Sequence, residues 1–270
     1  MNCWRSVAVC LAVVLSAAIL YAQTSATSPG TGDQQQVTKP SGGGRYDAEI
    51  QKAVSEELRK HDDLKNVTSS VEDGIVTLQG TVDLYQDKEQ AYRRIRKKQH
   101  VQGVRNQIQV AGKDIPDAQL REILADKLRY DRIDQGIMFN NFTIAVNNGV
   151  VSIGGQARTP SDAASALAIV ENTQGVKDVI ENIDVLPASP MDDDIRLRVA
   201  RAIYGDPALR MYASDPQAPI RIVVQNGRVS LYGVVMNKMH RQIAEMRARE
   251  VPNVFSVTNN IQVASGTKPS

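Results

Sequence analysis

The chain is poor in cysteine, in aromatic side chains and in net charge, and each shortage excludes something. Its two cysteines, Cys3 and Cys10, both lie in the first ten residues. Nothing beyond them can form a disulfide framework, a thiolate metal site or a cysteine nucleophile. One Trp, eight Tyr and three Phe make up 4% of 270 residues, which disfavours one large aromatic core and suits several small aliphatic ones. Lys and Arg total 32 against 30 Asp and Glu, so the broad basic excess of a wholesale nucleic-acid binder is missing, and no nucleic-acid partner is expected. A hydrophobic fraction of 42% equally argues against a disordered polyelectrolyte.

What the N-terminus does contain is Arg5, the apolar run Ser6–Leu20 and then Tyr21-Ala22-Gln23. That order is the one of a secretory signal peptide, and the run is shorter than the ~20 residues needed to span a bilayer. A signal peptide over residues 1–22, cleaved after Ala22, is the expectation. The bulk of Leu20 near the cleavage point leaves an uncleaved anchor as the alternative. Residues 23–45 follow, rich in Gly, Ser, Thr, Gln and Pro, and read as a disordered leader.

Beyond the leader the chain repeats itself. Val67–Gly80 aligns without gaps on Phe142–Gly155, 75 residues on, and both align on Ile220–Gly233, a further 78 along. The same offsets carry Val104, Ile108 and Val110 onto Val179, Ile183 and Val185, and then onto Val257, Ile261 and Val263. Three copies of one unit are therefore predicted, over 46–112, 116–187 and 191–265.

Each copy reads physically. Asp73-Gly74, Asn148-Gly149 and Asn226-Gly227 are dipeptides suited to a type I′ hairpin turn, which needs positive φ at both central residues. They separate runs of alternating apolar residues, such as Phe142/Ile144/Val146 and Val151/Ile153. Gly80, Gly155 and Gly233 fall in phase with the buried face, where a missing side chain would admit a helix. Ahead of each hairpin runs a helical stripe: Ile50/Val54/Leu58, Leu120/Leu124/Leu128 and Ile195/Val199/Ile203. Asp47, Asp117 and Asp192 precede these stripes as N-caps or first-turn acids. A second helix of about four turns carries Ala91/Ile95, Ala166/Val170 and Ala244/Ala248. His100, Gly175 and Asn253 share the corner after it, a place for a left-handed residue. The predicted fold is α+β: three tandem α-β-β-α-β two-layer units, each a three-stranded mixed sheet with two helices on one face. Linkers of a few residues imply packed or semi-rigid neighbours.

With D-x-x-[I/L], [D/N]-G-x-V-x-L-x-G and V-x-x-V-x-x-x-I-x-V in place, the chain resembles the BON domain family, named for bacterial OsmY and nodulation proteins. The resemblance covers roughly Tyr46–Ala264, with Gly175 alone keeping the family's helix-end glycine. It implies a periplasmic or envelope protein that binds phospholipid surfaces or other envelope components, linked in some members to osmotic stress and in others to chaperone-like action. It brings no catalytic residues to carry over.

The residues themselves point the same way. His61, His100 and His240 occupy non-equivalent positions without metal-ligand spacing, so neither a metal site nor a cofactor is expected. The acids Asp192–Asp194 open a helix, where they complement its dipole. No enzymatic activity is expected. The charged constellation that stands out is Arg93, Arg94, Arg96, Lys97, Lys98 and His100. At 100° per residue, with Ala91 and Ile95 inward, Arg93, Arg96, Lys97 and His100 share the outer face. They form a candidate site for an anionic phospholipid membrane surface; a solvated helix end complementing its own dipole is the bland alternative. The polar, helix-free sheet faces and open strand edges keep a protein adaptor or chaperone-like binder as the second reading, with other envelope proteins as partners.

Overall fold

The computed structural model describes residues 44–130, 137–215 and 219–264. The expected signal peptide, and the leader apart from Gly44 and Arg45, lie outside them. In the first unit, α1 (Asp47–Arg59) leads through a 3-10 turn to β1 (Val67–Glu72) and β2 (Ile75–Val82), then α2 (Tyr85–Ile95) and β3 (Gly103–Val110). The second unit has α3 (Asp117–Tyr130), β4 (Asn141–Asn147), β5 (Val150–Ala157), α4 (Pro160–Glu171) and β6 (Asp178–Val185). The third has α5 (Pro190–Tyr204), a short α6 (Arg210–Ala213), β7 (Ile220–Gln225), β8 (Arg228–Val235), α7 (Lys238–Arg249) and β9 (Ser256–Val263). In every unit the second strand is central, antiparallel to the first and parallel to the last. Helix and sheet segregate into two layers, as predicted.

The predicted stripes are the buried ones. Ile50, Val54 and Leu58 of α1 meet Val76, Leu78, Ile95 and Ile108, and the equivalent residues close the other two cores. All three hairpins turn through two residues of positive φ: 51° and 76° at Asp73-Gly74, 51° and 77° at Asn148-Gly149, 53° and 71° at Asn226-Gly227. His100, Gly175 and Asn253 also take positive φ, of 64°, 90° and 68°.

One expectation needs correcting. Gly80, Gly155 and Gly233 make room for no helix. Their φ values are 126°, 102° and 122°, and an added Cβ would lie 2.0 Å from the Asn66 carbonyl oxygen, 2.0 Å from that of Asn141 and 1.8 Å from that of Pro219. The crowding comes from the entry of the neighbouring antiparallel strand, so both the backbone angle and the space demand glycine.

The acids Asp47, Asp117 and Asp192 do sit in the first turns of their helices. Their carboxylates, however, reach across to the hairpin. Asp47 accepts the N–H groups of Asp73 and Gly74, both at 2.9 Å. Asp117 accepts those of Asn148 (2.7 Å) and Gly149 (2.9 Å), and Asp192 those of Asn226 (2.9 Å) and Gly227 (2.8 Å). Burial pushes the Asp47 carboxyl up, but the N–H donors of Gly74, Gly44 and Asp73 outweigh it and hold the group below the usual range. Ser189 caps α5 by accepting the Asp192 backbone N–H, and Thr159 and Asn237 cap α4 and α7 in the same way, whereas α1 has no side-chain cap.

The units pack against one another. Tyr85, at the start of α2, is buried in the core of the second unit. Phe139, from the 3-10 turn Ile137–Phe139, joins the core of the third. The third unit's β7 packs on that turn and on β4. Arg158 spans the same junction, 3.1 Å from Asp193 and 5.7 Å above the Phe139 ring.

Candidate phosphate-binding surface

Helix α2 is a turn shorter than its sequence suggests. It ends at Ile95, with Arg96 as its C-cap, and a tight turn carries the chain through Lys97 and Lys98 to the left-handed His100. The four predicted site residues are thus split between helix and turn. Arg96 and Lys97 are exposed. The Arg96 guanidinium lies 5.9 Å from the Tyr92 ring centroid, a cation–π distance. His100 is half-buried and stacks on Tyr46, with ring centroids 3.8 Å apart and planes 4° from parallel.

Arg93 faces elsewhere. Its Nη2 donates to Glu171 Oε1 at 3.1 Å, tying α2 to α4 of the next unit, and Lys88 approaches Asp178 at 4.0 Å in the same seam. Burial pushes the Glu171 carboxyl above its ordinary range, against the pull of the Arg93 cation. Arg93 therefore belongs as much to the joint between units as to the outer face.

The end of α1 supplies what helix-face reasoning missed. Glu57 receives Lys98 at 2.6 Å, Lys60 at 3.5 Å and His61 at 3.6 Å, and Arg94 contacts His61. The hydrogen bond from Lys98 is the main cause holding the Glu57 carboxyl below its usual range; burial opposes it, and the charges of Lys98 and Lys60 assist. Lys60 and Lys98 thus pair with one carboxylate, Arg94 contacts the His61 beside it, and Arg96 and Lys97 stay exposed at the end of α2. The excess positive charge is larger than the four predicted residues alone would give. Lys60 and His61 close an amphipathic helix, and only its packing against α2 brings them to the site.

Among the described residues no group of His, Cys, Asp or Glu is placed to hold a metal ion, and no helix is long and apolar enough to cross a membrane. The helix-free face of the first sheet is polar, with Gln79 donating to Gln107 at 2.9 Å. Between the second and third units an open cleft of about 400 Å³ is lined by Arg121, Arg129 and Arg221 with Leu128, Phe142 and Ile144.

Comparison with known proteins follows the repeat. A family model described as "BON domain" matches residues 46–112, 116–187 and 192–265. An uncharacterised protein from the gshII 5′ region of Anaplasma centrale is 30% identical over 143 residues, 51% of this chain and 93% of that protein. Among solved structures, CdsD, a structural protein of the Type III secretion system of Chlamydia trachomatis, is similar at 13% identity and a TM-score of 0.23, over 81% of this chain and 94% of that one. Its C-terminal domain gives 12% identity and a TM-score of 0.24, over 78% and 96%. Three matched regions that coincide with three mixed sheets identify the chain as a member of the BON domain family, carrying the domain in three tandem copies.

Proposed function

We propose that this is an exported, non-enzymatic envelope protein that docks on anionic phospholipid surfaces, in envelope maintenance or osmotic stress. BON domains occur in periplasmic and envelope proteins, and the family is one of non-enzymatic binding domains. The observation that carries the lipid reading is the group of Lys60, Arg94, Arg96, Lys97 and Lys98 where α1 and α2 end, with Arg96 and Lys97 exposed. Each basic side chain near an anionic surface contributes about 1 kcal/mol, and the attraction decays within a Debye length.

The test is co-sedimentation with vesicles. The protein is expected to pellet with phosphatidylglycerol-containing vesicles at low salt, to be released by 0.5 M salt and to ignore purely zwitterionic vesicles. Arg96→Gln combined with Lys97→Gln should weaken partitioning roughly 30-fold, corresponding to ~2 kcal/mol. Arg93→Gln should change it less, because its guanidinium is held by Glu171. Unchanged binding in the double variant would move the site to the arginine-lined cleft. Absence of binding by the wild type would favour a protein adaptor that uses the helix-free sheet faces and open strand edges. N-terminal sequencing from the envelope fraction checks export, with Gln23 as the expected first residue.

A further inference from the structure

The first helix of each unit turns one stripe toward the open edge of its own sheet, and the three stripes differ. Gln51 and Arg59 of α1 correspond to Arg121 and Arg129 of α3 and to Arg196 and Tyr204 of α5. In the first and third units this stripe fastens onto the edge strand. Gln51 Nε2 donates to the Ser69 carbonyl oxygen at 3.2 Å and to its hydroxyl at 3.1 Å. Arg196 Nη2 donates to the Val224 carbonyl at 2.6 Å, and the Tyr204 hydroxyl donates to that of Ile220 at 2.5 Å. The second unit lacks this fastening. Among the described residues the exposed Arg121 guanidinium has no partner, and Arg129 has only the exposed Asp126 at 3.9 Å.

The stripe of α3 borders instead the cleft of about 400 Å³ between the second and third units. Arg121, Ala125, Leu128 and Arg129 share one helix face, being four, seven and eight residues apart. Phe142 and Ile144 of the edge strand β4 add apolar wall. From the third unit come the half-buried Arg221 and, on the helix-free side of its sheet, Val234, which is 50% exposed. The size is that of a small-molecule site, and such sites favour junctions between domains. Apart from its three arginines the described lining is apolar or glycine, with no carboxylate, amide or hydroxyl side chain. A sugar or a nucleotide would bring donors that find no side-chain acceptor there. The complementary ligand carries its polar atoms in one anionic group and is hydrocarbon elsewhere.

We propose that this cleft binds a single-chain aliphatic carboxylate, one per chain. Arg121 holds the carboxylate, and Leu128, Phe142, Ile144 and Val234 cover the hydrocarbon. One unpartnered guanidinium matches one negative charge, and its fork fits a carboxylate through two parallel hydrogen bonds. The ligand is a soluble monomer held between two units, not a membrane surface met by the basic end of α2, so the two readings stand or fall separately.

The experiment is calorimetric titration of the full chain with decanoate in the absence of vesicles, with methyl NMR to locate the ligand. One equivalent is expected to bind and to shift the methyl signals of Leu128, Ile144 and Val234 while leaving those of Leu78 and Leu231, in the cores of the first and third units, in place. Decanol, which has the chain without the charge, should bind at least tenfold more weakly, and acetate should not bind. Arg121→Gln should weaken decanoate roughly tenfold, the loss of one charged hydrogen-bonding partner, at an exposed site where the fold is not at risk. Val234→Asp should weaken it at least as much by setting a like charge in the wall. Arg59→Gln, at the position in the first unit that corresponds to Arg129, should leave it unchanged. Absent binding, decanol equal to decanoate, shifts outside the cleft, or undiminished affinity in Arg121→Gln would each overturn the proposal.

Discussion

At the scale of single residues, an aspartate at the start of a helix turns out to organise a turn 26 residues or more away. Asp192 is the most buried of the three, at 3% exposure, and holds two N–H groups of the Asn226-Gly227 turn. Asp192→Ala should leave both donors buried and unpaired and cost the third unit about 2 kcal/mol, read as a lower urea midpoint at unchanged slope. The sequence revealed the aspartates and the turn separately. Asn-Gly carries its own conformational signature, and an acid before an apolar stripe is a helix-start signal. Their mutual hydrogen bonds depend on how α5 lies across β7 and β8, which no local pattern encodes. Gly80, Gly155 and Gly233 illustrate the same limit. Their presence marked a constraint, but only the course of the neighbouring strand identifies its source.

At the scale of elements, the seam between α2 and α4 rests on Arg93 and Glu171. The arginine side chain is 55% exposed and the glutamate 9%, so removing the cation leaves a largely buried carboxylate without its partner. Arg93→Gln should therefore lower stability by about 1–2 kcal/mol. Adding Glu171→Gln should recover most of that loss, which a double-mutant cycle in urea would measure as coupling. Helix-wheel reasoning assigned Arg93 to a free outer face because it treats a helix as facing only its own sheet. The two residues are 78 apart in the chain, and Glu171 ends a helix with no other charge but Asp162. The early end of α2 was partly legible. A left-handed residue at His100 needs a turn before it: α2 stops five residues short of it, and α4 and α7 stop four short of Gly175 and Asn253.

At the scale of the whole molecule, ionisation sets the response to acid. The carboxyls of Asp47, Glu57, Asp193, Asp206 and Glu245 are held below their ordinary values, whereas burial raises those of Asp87 and Glu171. A lowered group binds its proton less tightly folded than unfolded. Its contribution is present above the unfolded value and lost as the pH falls through the folded one. The raised pair acts in the opposite sense. Protonation of the five lowered groups removes their hydrogen bonds and ion pairs, so the melting temperature should fall as the pH drops below 4.5, the ordinary value for glutamate. Glu171→Gln should steepen that fall, because it removes a group that favours the folded state on acidification. Thermal melts between pH 3 and 7 check both.

The position of the last strand in each unit bears on biosynthesis. The central strands β2, β5 and β8 each complete their pairing with a strand that arrives last, parallel, and at the edge. Those last strands bring nearly interchangeable inward residues: Val104 and Ile108, then Val179 and Ile183, then Val257 and Ile261. An unfilled edge at β2 would accept the wrong one on side-chain grounds, and exchange of like strands between repeats is a characteristic misassembly of such chains. In a chain that emerges N-terminus first, β2 meets β3 before β6 has been made, so the order of synthesis resolves a choice that the side chains leave open.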